Sequence, residues 1–323
     1  MSKAISIKAF GGPEVLTLEE REIGAPGKGE IAIKQEAIGL NFIDVYGRTG
    51  LYPNPLPFVP GQEGAGVVTA VGPDVTEFKP GDRIAYHGAL GAYAEERLLP
   101  AAKALPLPDD IGFDIGAAIT LKGLTACYLL TMTWQVKPGE TILFHAAAGG
   151  VGLLAVQWAK SIGAHVIGTV GSDEKAALAR AAGAHDVINL RTENFAERVR
   201  EITGGRGVDV VYDSIGKDTF EASLDCLRPR GLMVSFGNSS GPVAVPSLGV
   251  LATKGSLYVT RPTTAHYFSD RNVELASART LFDMVREGTL SIKIGQRFAL
   301  ADAAEAHRAL EGRQTTGSTI LLP

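Results

Sequence analysis

The segment that most constrains the fold is residues 141–152, TILFHAAAGGVG, in which a short apolar run leads into a turn of alanine and glycine. The turn opens into a helical pattern, VGLLAVQWAKSIG. A strand, a turn without bulky side chains and a helix start form a cradle for a pyrophosphate, because the N–H groups of the helix N-terminus point at the anion. The segment therefore predicts a dinucleotide site with contacts from Gly149, Gly150, Val151 and Gly152.

The turn matches A-x-G-x-x-G over residues 147–152, one residue away from the dinucleotide fingerprint. Ala147 stands where the fingerprint has its first glycine. Alanine is compatible with the motif provided that this position needs no positive φ.

Strand-like runs alternate with helical periodicity through the middle of the chain. The runs cover residues 141–144, 165–169, 186–189, 208–212, 231–235 and 256–259. Helical stretches lie between the first five, for example residues 174–182, 193–202 and 219–227. This alternation predicts a parallel sheet with helices on both faces, spanning roughly residues 121–260.

The N-terminal part carries β-type signals, in which short alternating runs such as residues 31–35 are divided by glycine and proline turns. This spacing predicts a compact, partly open barrel or sandwich. After residue 261 the pattern predicts an amphipathic helix, a second short helix and a strand, over residues 274–286, 301–310 and 318–322.

We expect this tail to fold back onto the N-terminal β domain, since no array of six strands is left for it to join. The prediction is a discontinuous domain of residues 1–121 and 261–323 with an inserted domain of residues 122–260. A chain of 323 residues is long enough for two such domains.

Composition excludes several classes of protein. With 31 basic and 35 acidic residues the net charge is −4, which argues against a nucleic-acid binder. No apolar run reaches the ~20 residues of a membrane span, and the N-terminus lacks the apolar core of a signal peptide. Cys127 and Cys226 lie in apolar helical contexts, so we expect no disulfide framework and a cytoplasmic location.

The end of the second predicted strand indicates which dinucleotide binds. An NAD-type site places an acidic residue there for the ribose hydroxyls, but this strand is followed by Val-Gly-Ser. Ser172 and Lys175 suit the 2′-phosphate of NADP, although an ordinary helix N-cap and a solvated lysine would give the same sequence. Asp173 or Glu174 would oppose the phosphate if either turned inward. The sequence favours NADPH, with Arg191 as a second cationic candidate.

Two further loops follow strands directly, DSIG at residues 213–216 and FGN at residues 236–238. The carboxyl ends of the strands form the ligand crevice in a doubly wound sheet. Small polar residues there predict contacts to the ribose and nicotinamide, and plain glycine turns are the alternative. The candidates are Ser214, Phe236, Gly237, Asn238 and, on the last strand, Val259.

Seven short motifs occur in order along the whole chain. They are GLNFIDVYGR (39–48), PGQEGAG (60–66), KPGDR (79–83), AAAGGVG (146–152), YDSIG (212–216), SFGNSS (235–240) and LYVTRP (257–262). This series resembles the medium-chain dehydrogenase/reductase superfamily, and within it the zinc-independent, zeta-crystallin-like quinone oxidoreductases.

The resemblance implies an α/β fold, with a GroES-like β-barrel catalytic domain and an inserted six-stranded parallel, doubly wound (Rossmann) domain. It also implies a homodimer or a tetramer. In the family the last strand of the sheet, here residues 256–259, pairs across the dimer.

The resemblance also implies that no metal binds. Zinc-dependent relatives have a cysteine ligand near Asn41, a histidine ligand at Gln62 and four closely spaced cysteines, a set that this chain lacks. His87 and His145 lie in apolar runs, as core or turn histidines do. Without a Lewis acid the substrate must itself be electrophilic, as quinones and α,β-unsaturated carbonyls are. We therefore expect zinc-free hydride or electron transfer from NADPH to a quinone.

By analogy with the family, Asn41 and Tyr46 would lie under the nicotinamide and the substrate and contact both. Either could donate a hydrogen bond to the acceptor carbonyl, and the Tyr46 ring would shape a flat slot. Asp44 would orient Asn41 or Arg48, or stabilise a turn. Tyr52 is a candidate proton donor at the mouth of the cleft.

Three cofactor contacts are expected outside these loops. Thr125, on the helix that enters the inserted domain, could meet the carboxamide. Arg261 and Arg313 flank the return to the barrel domain and would reach the cofactor, or form salt bridges between the domains.

Three other functions stay open. An alkenal or enone reductase would use the same scaffold, and the sequence does not separate it from a quinone reductase. Zeta-crystallin relatives also serve as lens structural proteins and RNA binders, but the net charge of −4 opposes RNA binding. An NADPH-binding sensor without turnover is the third. Whether one or two electrons move at a time is also open.

Overall fold

The computed structural model describes residues 1–245 and 247–323 and divides into two compact units. Unit 1 comprises Met1–Leu124, Arg271–Arg286 and Ile292–Pro323, and unit 2 comprises Thr125–Asp270 and Glu287–Ser291. Relative to the domain bounds expected from the sequence, residues 122–124 lie in unit 1, and residues 261–270 and 287–291 lie in unit 2.

The regular elements of the described residues are numbered in chain order. The strands are β1 (Ser2–Ser6), β2 (Thr17–Arg21), β3 (Glu30–Leu40), β4 (Glu63–Val71), β5 (Arg83–His87), β6 (Glu96–Pro100), β7 (Ala104–Pro106), β8 (Thr141–Phe144), β9 (His165–Val170), β10 (Asp186–Asn189), β11 (Val208–Asp213), β12 (Leu227–Ser235), β13 (Tyr258–Thr260), β14 (Ile294–Ala299) and β15 (Ser318–Leu322). The α-helices are α1 (Phe42–Thr49), α2 (Phe113–Tyr128), α3 (Gly150–Ile162), α4 (Asp173–Ala182), α5 (Phe195–Ile202), α6 (Phe220–Asp225), α7 (Gly249–Thr253), α8 (Thr264–Tyr267), α9 (Arg271–Arg286) and α10 (Ala303–Glu311).

Unit 2 is built on a six-stranded parallel sheet with the strand order β10-β9-β8-β11-β12-β13. The strands read as apolar runs because their inward side chains, such as Leu143, Ile167, Val211 and Met233, are fully buried. The chain order reverses at β8, between β9 and β11, which is where ligands bind in doubly wound sheets. The predicted Rossmann sheet is confirmed.

Unit 1 contains a seven-stranded sheet with the order β14-β15-β3-β4-β5-β7, in which β6 also pairs with β3, and a separate β1-β2 ribbon. Its core is formed by aliphatic side chains such as Ile31, Ile33 and Ile84. β15 pairs antiparallel with β3, with Thr319 opposite Leu40. The C-terminal tail therefore returns to the N-terminal sheet, as the sequence predicted.

Several predicted element bounds were wrong. β13 begins at Tyr258, two residues later than expected, because Ser256 has a φ of 55° and still belongs to the preceding turn. α6 ends at Asp225, since Leu227 already pairs with Val208 as the first residue of β12. α9 begins at Arg271, three residues before the apolar periodicity that revealed it.

One helix is long and apolar enough to cross a membrane by length and composition alone, although Asp114 and Lys122 interrupt its apolar sequence. α2 continues through a π-helical turn, and the whole helix, Phe113–Thr133, has a mean hydropathy of 1.4 in its most apolar window. Of that window, 78% is buried inside the structure. Buried core helices of soluble proteins pass the same test, so length and composition alone give weak support for a membrane span.

Candidate functional site

The turn between β8 and α3 has the shape of a phosphate cradle. Gly149 is the N-cap of α3, and its N–H donates to the carbonyl oxygen of Ala146 at 2.9 Å. A Cβ on Gly152 would lie 2.3 Å from that oxygen and 2.8 Å from the backbone of Ala147. Only glycine fits there, because no flexible side chain can move out of the way.

The alanine that replaces the first fingerprint glycine is accommodated in this turn. The left-handed residue is Ala146, with a φ of 53°, rather than Ala147. Ala147 is fully buried and donates its N–H to the Thr169 carbonyl at 3.0 Å. Position 147 therefore needs no positive φ, and alanine is compatible with the motif there.

Ser172 is the N-cap of α4, and its Oγ accepts the Lys175 N–H at 3.3 Å. Ser172 thus acts as an ordinary helix N-cap, which was the alternative to a phosphate contact. Its O–H can still donate a hydrogen bond to an anion at the helix N-terminus. The Asp173 carboxylate accepts from the side-chain amide of Asn189 at 2.8 Å. The backbone N–H of Arg191 donates to the Asn189 Oδ1 at 3.1 Å, so Arg191 lies beside this group.

The loops after β11 and β12 pack backbone to backbone. Asp213 ties the first loop, because its Oδ1 accepts the N–H groups of Ile215 and Gly216 at 2.7 and 3.1 Å. A Cβ on Gly237 would lie 2.4 Å from the carbonyl oxygen of Ser214. Ser214 and Gly237 therefore meet at the carboxyl end of the sheet.

The remaining unit 2 candidates lie at different places in that unit. Arg261 donates through Nη1 to the carbonyl oxygens of Ser235 and Gly237 at 3.0 and 2.8 Å, which ties β13 to the loop after β12. The ring centroid of Phe236 lies 5.8 Å from that of Phe144, and the backbone carbonyl of Asn238 accepts the Gly241 N–H. Val259 lies on β13, and Thr125 is mostly buried on α2. The sequence predicted that Arg261 contacts the cofactor or forms a salt bridge between the domains. These two hydrogen bonds instead join it to the loop after β12.

In unit 1, Asn41 is the N-cap of α1 and is mostly buried. Its Nδ2 donates to the Glu63 Oε2 at 2.8 Å and to the Gly39 carbonyl at 3.3 Å. A carboxylate only accepts hydrogen bonds, so the nitrogen of the amide must face Glu63. Asn41 is left with acceptor capacity on Oδ1, which also faces the Asp44 N–H in a capping box. This orientation opposes the expected donation to a carbonyl and suits a hydroxyl donor instead.

Glu63 and Lys122 fix that amide, and sequence reasoning missed both roles. Glu63 is fully buried, and its carboxylate accepts from the Lys122 ammonium at 2.7 Å and from the Leu121 N–H at 2.6 Å. Lys122 is only 6% exposed. The available signal was an acidic residue opening the apolar strand EGAGVV and a lysine inside the most apolar helix, since buried charges need partners.

The two candidate tyrosines lie together. The ring centroids of Tyr46 and Tyr52 are 5.2 Å apart and the rings meet edge to face, while the Tyr52 N–H donates to the Tyr46 carbonyl at 3.0 Å. Tyr46 is 8% exposed and Tyr52 is 38% exposed. The pair forms an aromatic surface that extends from the buried first turns of α1 to solvent.

Asp44 orients Asn41 rather than Arg48. Its Oδ2 accepts the Asn41 N–H at 2.9 Å and the Tyr93 hydroxyl at 3.2 Å. Burial raises the pKa of the Asp44 carboxyl to about 7. Arg48 forms a bidentate pair with Glu311 instead.

Arg313 lies in a turn, and His87 and His145 have hydrogen-bond or ion-pair partners within the fold. Arg313 has a φ of 58° in the turn between α10 and β15. His145 is buried between Thr169 and Ser223 at 2.8 and 2.9 Å, and His87 pairs with Glu274 at 2.8 Å. Across residues 1–245 and 247–323 there is no group of three or more His, Cys, Asp or Glu residues that could hold a metal ion, and both cysteines are buried thiols.

Comparison with known proteins agrees with this geometry. The alcohol dehydrogenase GroES-like domain matches residues 27–109, and the zinc-binding dehydrogenase family matches residues 150–277. A quinone oxidoreductase of Pseudomonas aeruginosa is 56% identical over the whole of both chains, and a 2-haloacrylate reductase of a Burkholderia species is 50% identical over 100% of this chain and 99% of its own. The crystal structure of Escherichia coli quinone oxidoreductase complexed with NADPH has a TM-score of 0.98, at 51% identity over 99% of this chain and 100% of its own.

These matches cover both units of the chain. The chain belongs to the medium-chain dehydrogenase/reductase superfamily and, within it, to the quinone oxidoreductases. The resemblance found in the sequence is confirmed.

Proposed function

We propose that this protein is an NADPH-dependent quinone reductase that needs no metal. The observation that carries the proposal is the glycine cradle between β8 and α3, where no side chain fits at position 152. It occurs in a chain with a TM-score of 0.98 to a quinone oxidoreductase solved with NADPH.

Unit 2 fits NADPH at two places. The backbone N–H groups of Gly150 to Gly152, at the start of α3, would hold the pyrophosphate. Ser172 and Lys175 at the start of α4 would hold the 2′-phosphate through a hydroxyl and an ammonium donor. The nearby carboxylate of Asp173 accepts a hydrogen bond from the Asn189 amide. When bound, NADPH supplies the hydride.

Unit 1 would supply the surface for the acceptor. The Tyr46 and Tyr52 rings give a flat aromatic face, and the Tyr52 hydroxyl is the candidate proton donor. The Asn41 Oδ1 would accept a hydrogen bond from a hydroxyl group of the cofactor ribose or of the hydroquinone product, since a quinone has no O–H to donate, and Glu63 keeps the amide in that orientation. A quinone accepts hydride without a Lewis acid, because the negative charge is delocalised over the ring. The reaction therefore needs no metal ligands at positions 41 and 62, where this chain has the amides Asn41 and Gln62.

An alkenal or enone reductase is the second candidate, favoured by the 50% identity to the 2-haloacrylate reductase. Steady-state oxidation of NADPH with a quinone, an enone and a simple ketone separates the two. We expect turnover with the quinone to exceed that with the enone, and the ketone to be inert. Turnover with the enone alone would assign the second function.

We expect the variant Lys175→Gln to weaken NADPH binding by ~10-fold and to leave NADH binding unchanged, because only NADPH carries the 2′-phosphate that pairs with the ammonium. Titration of nicotinamide fluorescence measures both affinities. The matched control is Arg180→Gln, which removes an exposed charge from the last turn of the same helix. Equal losses for NADPH and NADH would contradict this role.

The proposed assembly is a homodimer that works in the cytoplasm. β13 ends the six-stranded sheet, and its Tyr258 and Val259 are 60% and 37% exposed, so a second copy could pair along this edge. The two buried thiols, which form no disulfide, suit a reducing compartment. Sedimentation at twice the 33.9 kDa chain mass would support the dimer, and a monomer at every concentration would exclude it.

A further inference from the structure

A line of hydrogen bonds runs through unit 1 from the C-terminal helix α10 to the first turn of α1. The Glu311 carboxylate accepts two bonds from Arg48, both at 2.8 Å. The Arg48 Nη1 lies 3.1 Å from the His307 Nδ1, and the His307 Nε2 lies 3.0 Å from the Tyr93 hydroxyl. The Tyr93 hydroxyl lies 3.2 Å from the Asp44 Oδ2.

The direction of these bonds is fixed at the arginine. A guanidinium only donates, so the His307 Nδ1 accepts and its Nε2 carries the hydrogen. That hydrogen points at the Tyr93 oxygen, which leaves the Tyr93 hydrogen to point at Asp44. Burial, together with the charge of Arg48, lowers the pKa of His307 to about 3, so the ring stays neutral and keeps this tautomer.

From Arg48 onward the line lies in the interior of unit 1 and ends at the candidate site, whereas Glu311 at its other end is exposed. Arg48 is 1% exposed, Tyr93 and His307 are fully buried and Asp44 is 3% exposed. The Asp44 Oδ2 that receives the Tyr93 hydrogen also accepts the Asn41 N–H. Replacement of a buried ion pair by apolar side chains of similar volume is often neutral or stabilising, so these buried polar groups are weak evidence for a role in stability and point to one in positioning.

We propose that Tyr93, His307 and Arg48 are positioning residues for quinone reduction, which deliver a hydrogen bond to Asp44 and thereby hold Asn41 and the first turn of α1 in place. The proposal rests on the proposed function. It adds residues that do not touch the cofactor or the acceptor.

The carboxylate form of Asp44 is the one that performs this role, because it accepts two hydrogen bonds at Oδ2. Its other oxygen, Oδ1, is buried with no hydrogen-bond partner among the described residues. Burial raises the pKa of this group to about 7, and Glu63 on β4 acts in the same direction. The Asn41 N–H, the Tyr93 hydroxyl and Lys122 on α2 all lower that pKa. Below pH 7 the carboxyl takes up a proton and becomes a weaker acceptor for the turn.

The variant Tyr93→Phe tests the proposal, because it removes the hydroxyl and keeps the ring that packs on Gly61. Loss of one hydrogen bond to the carboxylate is expected to raise the pKa of Asp44 by ~0.5–1 unit. The acid limb of the kcat/KM profile for the quinone then moves up in pH by the same amount. At about pH 6 the variant is expected to be ~3- to 10-fold slower than the wild type, with little difference well above pH 7.

The control variant is Tyr86→Phe, which removes the hydroxyl of a fully buried tyrosine on β5 of the same unit, one that donates to Gln35. We expect this variant to keep the wild-type acid limb. An unchanged profile in Tyr93→Phe, or an equal shift in both variants, would overturn the proposal.

The pH dependence of the free energy of unfolding reports the ionisation of Asp44 without any enzymatic turnover. Because the folded pKa of Asp44 is raised, its contribution to stability is full below the unfolded value of about 4 and is lost as the pH rises through about 7. Tyr93→Phe is expected to move the upper end of this window to higher pH by ~0.5–1 unit, whereas Tyr86→Phe leaves it in place. A wild type that fails to reduce quinones would refute the proposed function, and this measurement would still test the hydrogen-bond line.

Discussion

Replacing Gly152 with alanine is expected to weaken NADPH binding by at least ~100-fold, because the start of α3 would lose two or more charge-assisted hydrogen bonds to the pyrophosphate. The new Cβ would lie 2.3 Å from the Ala146 carbonyl oxygen and 2.8 Å from the backbone of Ala147. Both obstacles are backbone, so relief requires that the turn and the helix N-terminus move apart. Titration of nicotinamide fluorescence measures the loss.

The control for this variant is Gly249→Ala on α7 of the same unit. Its added Cβ would meet only the Ser247 hydroxyl, at 3.3 Å, and we expect wild-type affinity for NADPH. Wild-type affinity in Gly152→Ala would show that the cradle does not hold the cofactor. Circular dichroism of both variants would separate a local displacement of the turn from loss of the fold.

The variant Glu63→Ala is expected to lose ~3–5 kcal/mol of the free energy of unfolding, because it leaves the Lys122 ammonium buried without its carboxylate. It also removes the acceptor for the Leu121 N–H and for the Asn41 amide. Quinone turnover is expected to fall with the orientation of Asn41. Urea unfolding measures the stability change, and kcat/KM measures the second effect.

Two further variants sharpen this prediction. Glu36→Ala removes an exposed glutamate from neighbouring β3 and is expected to change stability by less than ~0.5 kcal/mol. Glu63→Gln in combination with Lys122→Met removes both charges and is expected to recover part of the loss. If Glu63→Ala were as mild as Glu36→Ala, the buried pair would not hold this part of unit 1 together.

The sheet of unit 2 could be predicted because its signals are local. Strands buried on both faces read as apolar runs, and the helices between them keep their own periodicity. Of the bounds that were wrong, the start of β13 has a local cause, because the positive φ of Ser256 keeps that residue in the preceding turn. The end of α6 depends instead on the pairing of Leu227 with Val208.

The two halves of the candidate site differed in how far the sequence predicted them. The phosphate cradle follows from a continuous segment, since small residues and a helix start suffice. The orientation of Asn41 depends on Glu63, 22 residues away, and Glu63 depends on Lys122, 59 residues further along. The contact of Arg48 with His307 spans 259 residues. No periodicity or spacing reports such pairs, because only the folded sheet brings them together.

The most direct test of metal-free quinone reduction by NADPH is steady-state turnover of the purified protein after dialysis against a chelator, with its metal content measured. We expect one quinone to be reduced for each NADPH oxidised when two electrons move together, at a rate that the chelator does not change. Absence of quinone-dependent NADPH oxidation, or activity lost on chelation and restored by zinc, would contradict it.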